Sequence, residues 1–62
     1  MANNFELLKA IKEKNMTQRQ LAEKVGIHES EISLIVNRGM EPDESKKKKI
    51  ARALGVKIKD IF

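Results

Sequence analysis

The stretch from Thr17 to Asn37, TQRQLAEKVGIHESEISLIVN, holds two short amphipathic segments with a glycine between them. Leu21, Ala22 and Val25 recur at helical spacing in the first, and Ile32, Ile35 and Val36 in the second. Thr17 followed three residues on by Gln20 is a capping-box pair, whose side chains satisfy each other's backbone N–H groups at a helix start. Gly26 suits the left-handed conformation that closes a helix, so a helix of barely two turns is expected between Thr17 and Gly26. Ile27 and His28 lead to a further helix from about Glu29 to Asn37, with Gly39 as its exit. Ala22 is small where the two helices cross, Ile27 fills the corner, and Ile32 and Ile35 anchor the second helix from beneath. The outward side of that helix has no structural task.

Moving outward, the same helical spacing continues in both directions. Asn3 with Glu6 forms another capping-box pair, predicting a helix that runs to about Lys14 with Phe5, Leu8 and Ile11 on one face, ended by Asn15 and Met16. On the other side, Met40-Glu41-Pro42 reads as a loop, because Pro42 biases Glu41 away from helical angles. Asp43 caps a fourth helix with Ile50, Ala51 and Leu54 inside, running to Leu54 and closing at Gly55. Val56 to Phe62 makes a last apolar turn or short helix; its Val56, Ile58, Ile61 and Phe62 have two readings, part of a dimer interface or, for Ile61 and Phe62 the favoured one, closure of the core. Paired turn residues between β-branched runs are missing, as are linkers and repeats, so an all-α fold in a single domain over residues 1–62 is expected. Helices this short gain their stability by packing on one another.

Composition removes several function classes. The chain has 62 residues, with 13 Lys and Arg against 9 Asp and Glu, a formal net charge of +4 that favours anionic partners. With no Cys and one His there is neither a disulfide nor a thiolate or imidazole metal set, and no acid–base or nucleophile constellation. No metal, no cofactor, no small-molecule ligand and no enzyme activity are expected. No apolar run reaches the ~20 residues a membrane span needs, and MANNFELL lacks the features of a signal peptide. A cytoplasmic chain without a membrane partner is the expectation. Two Phe are too few for a base-stacking platform.

Two helices joined by a tight turn containing Gly define a helix-turn-helix. TQRQLAEKVGI, IVNRG, the Pro42 loop and KIARALGVKIKDIF, in that order, resemble the phage-repressor and Cro-like (Xre-type) helix-turn-helix regulators over nearly the whole chain. The resemblance implies a five-helix lambda-repressor-like bundle that binds operator DNA, commonly as a dimer. A major groove about 12 Å wide admits one α-helix, whose first residues reach base edges while the preceding helix crosses the backbone. Helical phase on the reader helix, about residues 29–37, then selects His28, Glu29, Ser30, Ser33 and Leu34 as base-contacting candidates. Gln18, at the first turn of the preceding helix, is the leading phosphate contact, since backbone N–H groups there are unpaired. Asn37 and Arg38, in the loop leaving the reader helix, are the second, followed by Arg19 and Lys24.

Charge runs against a simple version of this reading. Glu29, Glu31 and Arg38 leave residues 27–38 at a net of −1, and Glu41, Asp43 and Glu44 leave residues 39–45 at −3. Glu29 has two readings: acceptor from a cytosine amino group, or an acid complementing the helix N-terminus. His28 is either a base contact or an indifferent cap, and Leu34 either meets a thymine methyl or is an ordinary exposed side chain. Lys46 to Lys49 spread around about 300° of a helix, so a solvated face that offsets the acidic loop explains them better than a nucleic-acid patch. Double-stranded DNA is the expected partner, with a homodimer forming free or only on DNA. The competing class is a protein-interaction module on the same fold, an antitoxin or coactivator-type adaptor meeting a basic protein through the acidic face.

Overall fold

Capping sets where these helices begin. The computed structural model describes residues 4–62 and contains five helices: α1 (Phe5–Glu13), α2 (Gln18–Val25), α3 (Glu29–Arg38), α4 (Glu44–Leu54) and α5 (Ile58–Ile61). Thr17 Oγ1 accepts from the Gln20 N–H at 3.0 Å while Gln20 Oε1 accepts from the Thr17 N–H at 2.9 Å, the reciprocal capping box that the sequence predicts. Asp43 Oδ1 accepts from the Lys46 N–H at 2.9 Å and starts α4. Gly26 takes φ of +71°, and the Ile27 N–H returns to the Ala22 carbonyl at 3.0 Å. The Gly26 and Ile27 N–H groups both donate to the Ala22 carbonyl, and this closure turns the chain from α2 into α3. No strand occurs among the described residues.

The start of α1 departs from expectation. Asn3 lies outside the described residues, and the cap is Asn4, whose Oδ1 accepts from the Leu7 N–H at 3.0 Å. Asn4 is also tied into the bundle, its N–H donating to the Val36 carbonyl at 2.9 Å and its Nδ2 to the Ile61 carbonyl at 2.7 Å. These two anchors turn the face carrying Asn4 inward, and residues three and seven further on share that face. Leu7, Ala10 and Ile11 are therefore the buried stripe. Phe5 is 69% exposed and Leu8 only half-buried, which corrects the Phe5, Leu8 and Ile11 face. Asn15 joins α1 to α2 with φ of +56°, a left-handed angle that Asn tolerates better than most residues with a Cβ.

Leu7, Ile11, Leu21, Ile32, Ile35, Val36, Ile50 and Leu54 form the centre of the core, with Ala22, Val25, Ile27, Ala51 and Ile61 around it. Every apolar position predicted to face inward on α2, α3 and α4 does so. α2 packs on α3 and α4, while α1 packs on α3 and α5, so α3 is held from two sides. Ile61 is buried and Phe62 half-buried, closing the base of the bundle. The fold is an all-α, lambda-repressor-like helical bundle.

Candidate nucleic-acid interface

Because Ile32, Ile35 and Val36 point into the core, the rest of α3 is sorted by helical phase. At ~100° per residue, Ser30, Leu34 and Asn37 stand opposite the buried stripe, with Glu29 and Ser33 on one flank and Glu31 and Arg38 on the other. His28, Glu29, Ser30, Leu34, Asn37 and Arg38 are exposed and Ser33 is half-buried. Asn37 and Arg38 belong to the last turn of α3 and not to the loop after it, since the helix runs on to Arg38 before Gly39 turns left-handed. Asn37 Nδ2 donates to Ser33 Oγ at 3.0 Å, so a candidate phosphate contact in the outward row and a candidate base contact on its flank share one hydrogen bond. Leu34 is 46% exposed.

The first turns of α2 and α3 are linked through the side chains of Arg19 and Glu29. His28 occupies the N-cap of α3, and its side chain makes no capping bond. Its carbonyl accepts from the N–H groups of Glu31 and Ile32 at 3.0 Å each. Gln18 is the first residue of α2 and half-buried. The capping box engages the Gln20 N–H and leaves those of Gln18 and Arg19 without a helical partner, as the first turn of any helix must. Arg19 Nε lies 3.8 Å from Glu29 Oε1, and both side chains are mostly exposed. A pair this open is worth at most about 1 kcal/mol and can be exchanged for an outside partner.

The two acids of α3 are matched by cations from other helices. Glu29 has Arg19 from α2, and Glu31 is bonded to the Lys46 ammonium of α4 in a bridge whose side chains are 28% and 37% exposed. The bond to Glu31 raises the pKa of Lys46 above its ordinary value, against a smaller opposing effect of desolvation. Lys47 is bonded to Glu41 and lies 4.0 Å from Glu44, with its side chain only 13% exposed and its ammonium 5.7 Å from the Phe62 ring centroid.

The lysine run is thus divided, which refines the solvated-face expectation. Lys48 and Lys49 are exposed, Lys47 braces the acidic loop and the chain terminus, and Lys46 serves α3. The Glu44 to Lys47 spacing announces a helical pair, whereas nothing local in the sequence announces Lys46 with Glu31. Lys24 is set apart from the other candidates. It lines a groove of about 430 Å³ with Val25, Lys49, Arg52 and Ala53, at the far end of α2.

A short helix with an anchored inner face and a free outer face, preceded by a second helix across a glycine corner, defines a helix-turn-helix domain. A family model described as Helix-turn-helix matches residues 7–61, and the chain belongs to that Xre/Cro-like family, whose members are DNA-binding transcription regulators and not typically enzymes. Comparison with curated proteins returned no match. Among the described residues, no helix is long and apolar enough to cross a membrane, and no three His, Asp or Glu side chains come together as a metal set.

Proposed function

We propose that this chain is a sequence-specific double-stranded-DNA-binding transcription regulator of repressor type, its residues 1–62 acting as one DNA-binding domain in the cytoplasm. α3 enters the major groove, with His28, Glu29, Ser30, Ser33 and Leu34 toward base edges. Gln18 holds phosphate on one side and Asn37 with Arg38 on the other, with Arg19 and, at the far end of α2, Lys24 as weaker contacts. The observation that carries the reading is the outward row Ser30, Leu34 and Asn37, exposed and, among the described residues, without a side-chain hydrogen bond to another helix, on a helix whose other side is locked in the core. Phosphate contacts, Asn37 among them, set the register, and the base-facing side chains read sequence. Two copies about 34 Å apart would place their reader helices in successive turns of the groove, so a homodimer on DNA completes the arrangement.

Titration of duplexes selected from a random pool into the labelled protein tests this. Amide shifts are expected at residues 28–34 and at Gln18. Binding should weaken linearly in log affinity against log salt, and Gln18→Ala or Arg38→Ala should weaken it for all sequences alike. Shifts confined to another face, or no binding at low salt, replace the reading with that of a protein-interaction adaptor.

A further inference from the structure

Lys46 is the one member of the lysine run that crosses from α4 to the reader helix, and it does so at Glu31, in the first turn of α3. An acid in that turn suits the helix N-terminus of the free protein but meets phosphates on both groove walls when the helix is docked. We propose that Lys46 is a positioning residue for DNA binding, acting through Glu31: it cancels the carboxylate's charge and holds it on the α4 flank, so that α3 enters the groove without a net acidic edge. This deepens the DNA-binding reading and rests on it. Three observations support it. The Lys46 side chain is more than half covered and its ammonium donates to Glu31. Glu31 sits beside the reading row and not within it. The Lys46 backbone N–H is held by the Asp43 cap, which places the root of the side chain at the first turn of α4.

A direct phosphate contact by Lys46 and a charge-cancelling role make opposite predictions for a charge swap. The probe is a mixed-sequence duplex of roughly three helical turns at low salt, where electrostatic binding is strongest. Lys46→Glu is expected to lower affinity by roughly tenfold, because it places two acids beside the groove. The double variant Glu31→Lys with Lys46→Glu restores the bridge in reverse and should bind within about twofold of the native chain, with its salt dependence restored. Glu31→Gln alone should bind as well as the native chain or better.

Thermal melts of all four proteins separate folding from binding, since a purely structural bridge would move stability and leave the affinity of the folded protein unchanged. A swapped protein as weak as Lys46→Glu would make Lys46 a phosphate contact and overturn the proposal. A folded Lys46→Glu variant that binds like the native chain would overturn it as well. A native chain that binds no duplex would overturn the DNA-binding reading itself, which the other two outcomes leave standing.

Discussion

The two faces of α3 obey different rules. Inward, Ile32, Ile35 and Val36 are at most 2% exposed, in a core closed over α3 by α1 and α2. Outward, Ser30, Leu34 and Asn37 touch no other helix through any side-chain hydrogen bond among the described residues, and the Asn37 to Ser33 bond stays within α3. The inner face determines whether the chain folds, and the outer face can vary without consulting the core. A helix used in this way can change its reading while its scaffold remains constant.

The sharpest way to break this comparison is to damage the inner face. Ile35→Ala leaves a cavity at a fully buried site, at a cost of about 2–5 kcal/mol. A single core in a domain this small rarely supplies more than about 3–5 kcal/mol in total. Urea denaturation followed by circular dichroism should show Ile35→Ala largely unfolded at 25 °C, with all duplex binding lost. A cooperative transition at the native midpoint would mean that α3 is not held by its inner face.

Next in size comes the corner that sets the angle between α2 and α3. Gly26 has φ of +71°, and a Cβ built there meets nothing within 4 Å. Gly26→Ala is therefore a pure backbone test, with an expected loss of about 1–2 kcal/mol from left-handed strain and no steric contribution. A loss of stability near zero would show that the corner is set by packing of Ile27 and not by the glycine.

Leu34→Ala tests the other side of the comparison. Stability should change by no more than about 0.5 kcal/mol, since the side chain is half in solvent. Selection from a random duplex pool should nonetheless show weaker preference at one base pair, where the leucine met a thymine methyl. A destabilised variant, or an unchanged site preference, would remove Leu34 from the reading row.

The same division explains what could be read without coordinates. Helix limits and the inner stripes of α2, α3 and α4 were legible because caps and period are local properties of the chain: Thr17 with Gln20, Gly26, Asp43 and Gly55 each mark their own helix end. In α1, two apolar stripes competed, one through Phe5 and one through Leu7. The choice was made by Asn4 bonding to Val36 and Ile61, 32 and 57 residues away in sequence, which no spacing rule encodes. The outward rim of α3 followed directly from its inner stripe, so its candidates could be named from phase. The pairing of Lys46 with Glu31 could not, because it depends on where packing against α2 and α5 brings the first turn of α4.

The smallest expected effect lies just beyond the rim, in the loop that carries the chain from α3 to α4. The hydrogen bond from Lys47 and its charge hold the Glu41 carboxyl below its ordinary value of about 4.5, against the weaker pull of desolvation. Lys47 is held above its ordinary value of about 10.5 by the same bond. A carboxyl with a lowered folded pKa adds stability that is complete above its unfolded value and disappears as the pH falls through the folded one. An ammonium with a raised pKa adds stability that is complete below its unfolded value and disappears as the pH rises through the folded one. The native chain should therefore hold a small advantage over Glu41→Gln in thermal melts at neutral pH, and that advantage should vanish as acid passes through the carboxylate range. Duplex affinity at neutral pH should not distinguish the two, because Glu41 and Lys47 neutralise each other away from the outward row. A pH-independent gap between the melts would show that Glu41 acts through packing, and a loss of DNA binding in Glu41→Gln would show that the loop is part of the interface after all.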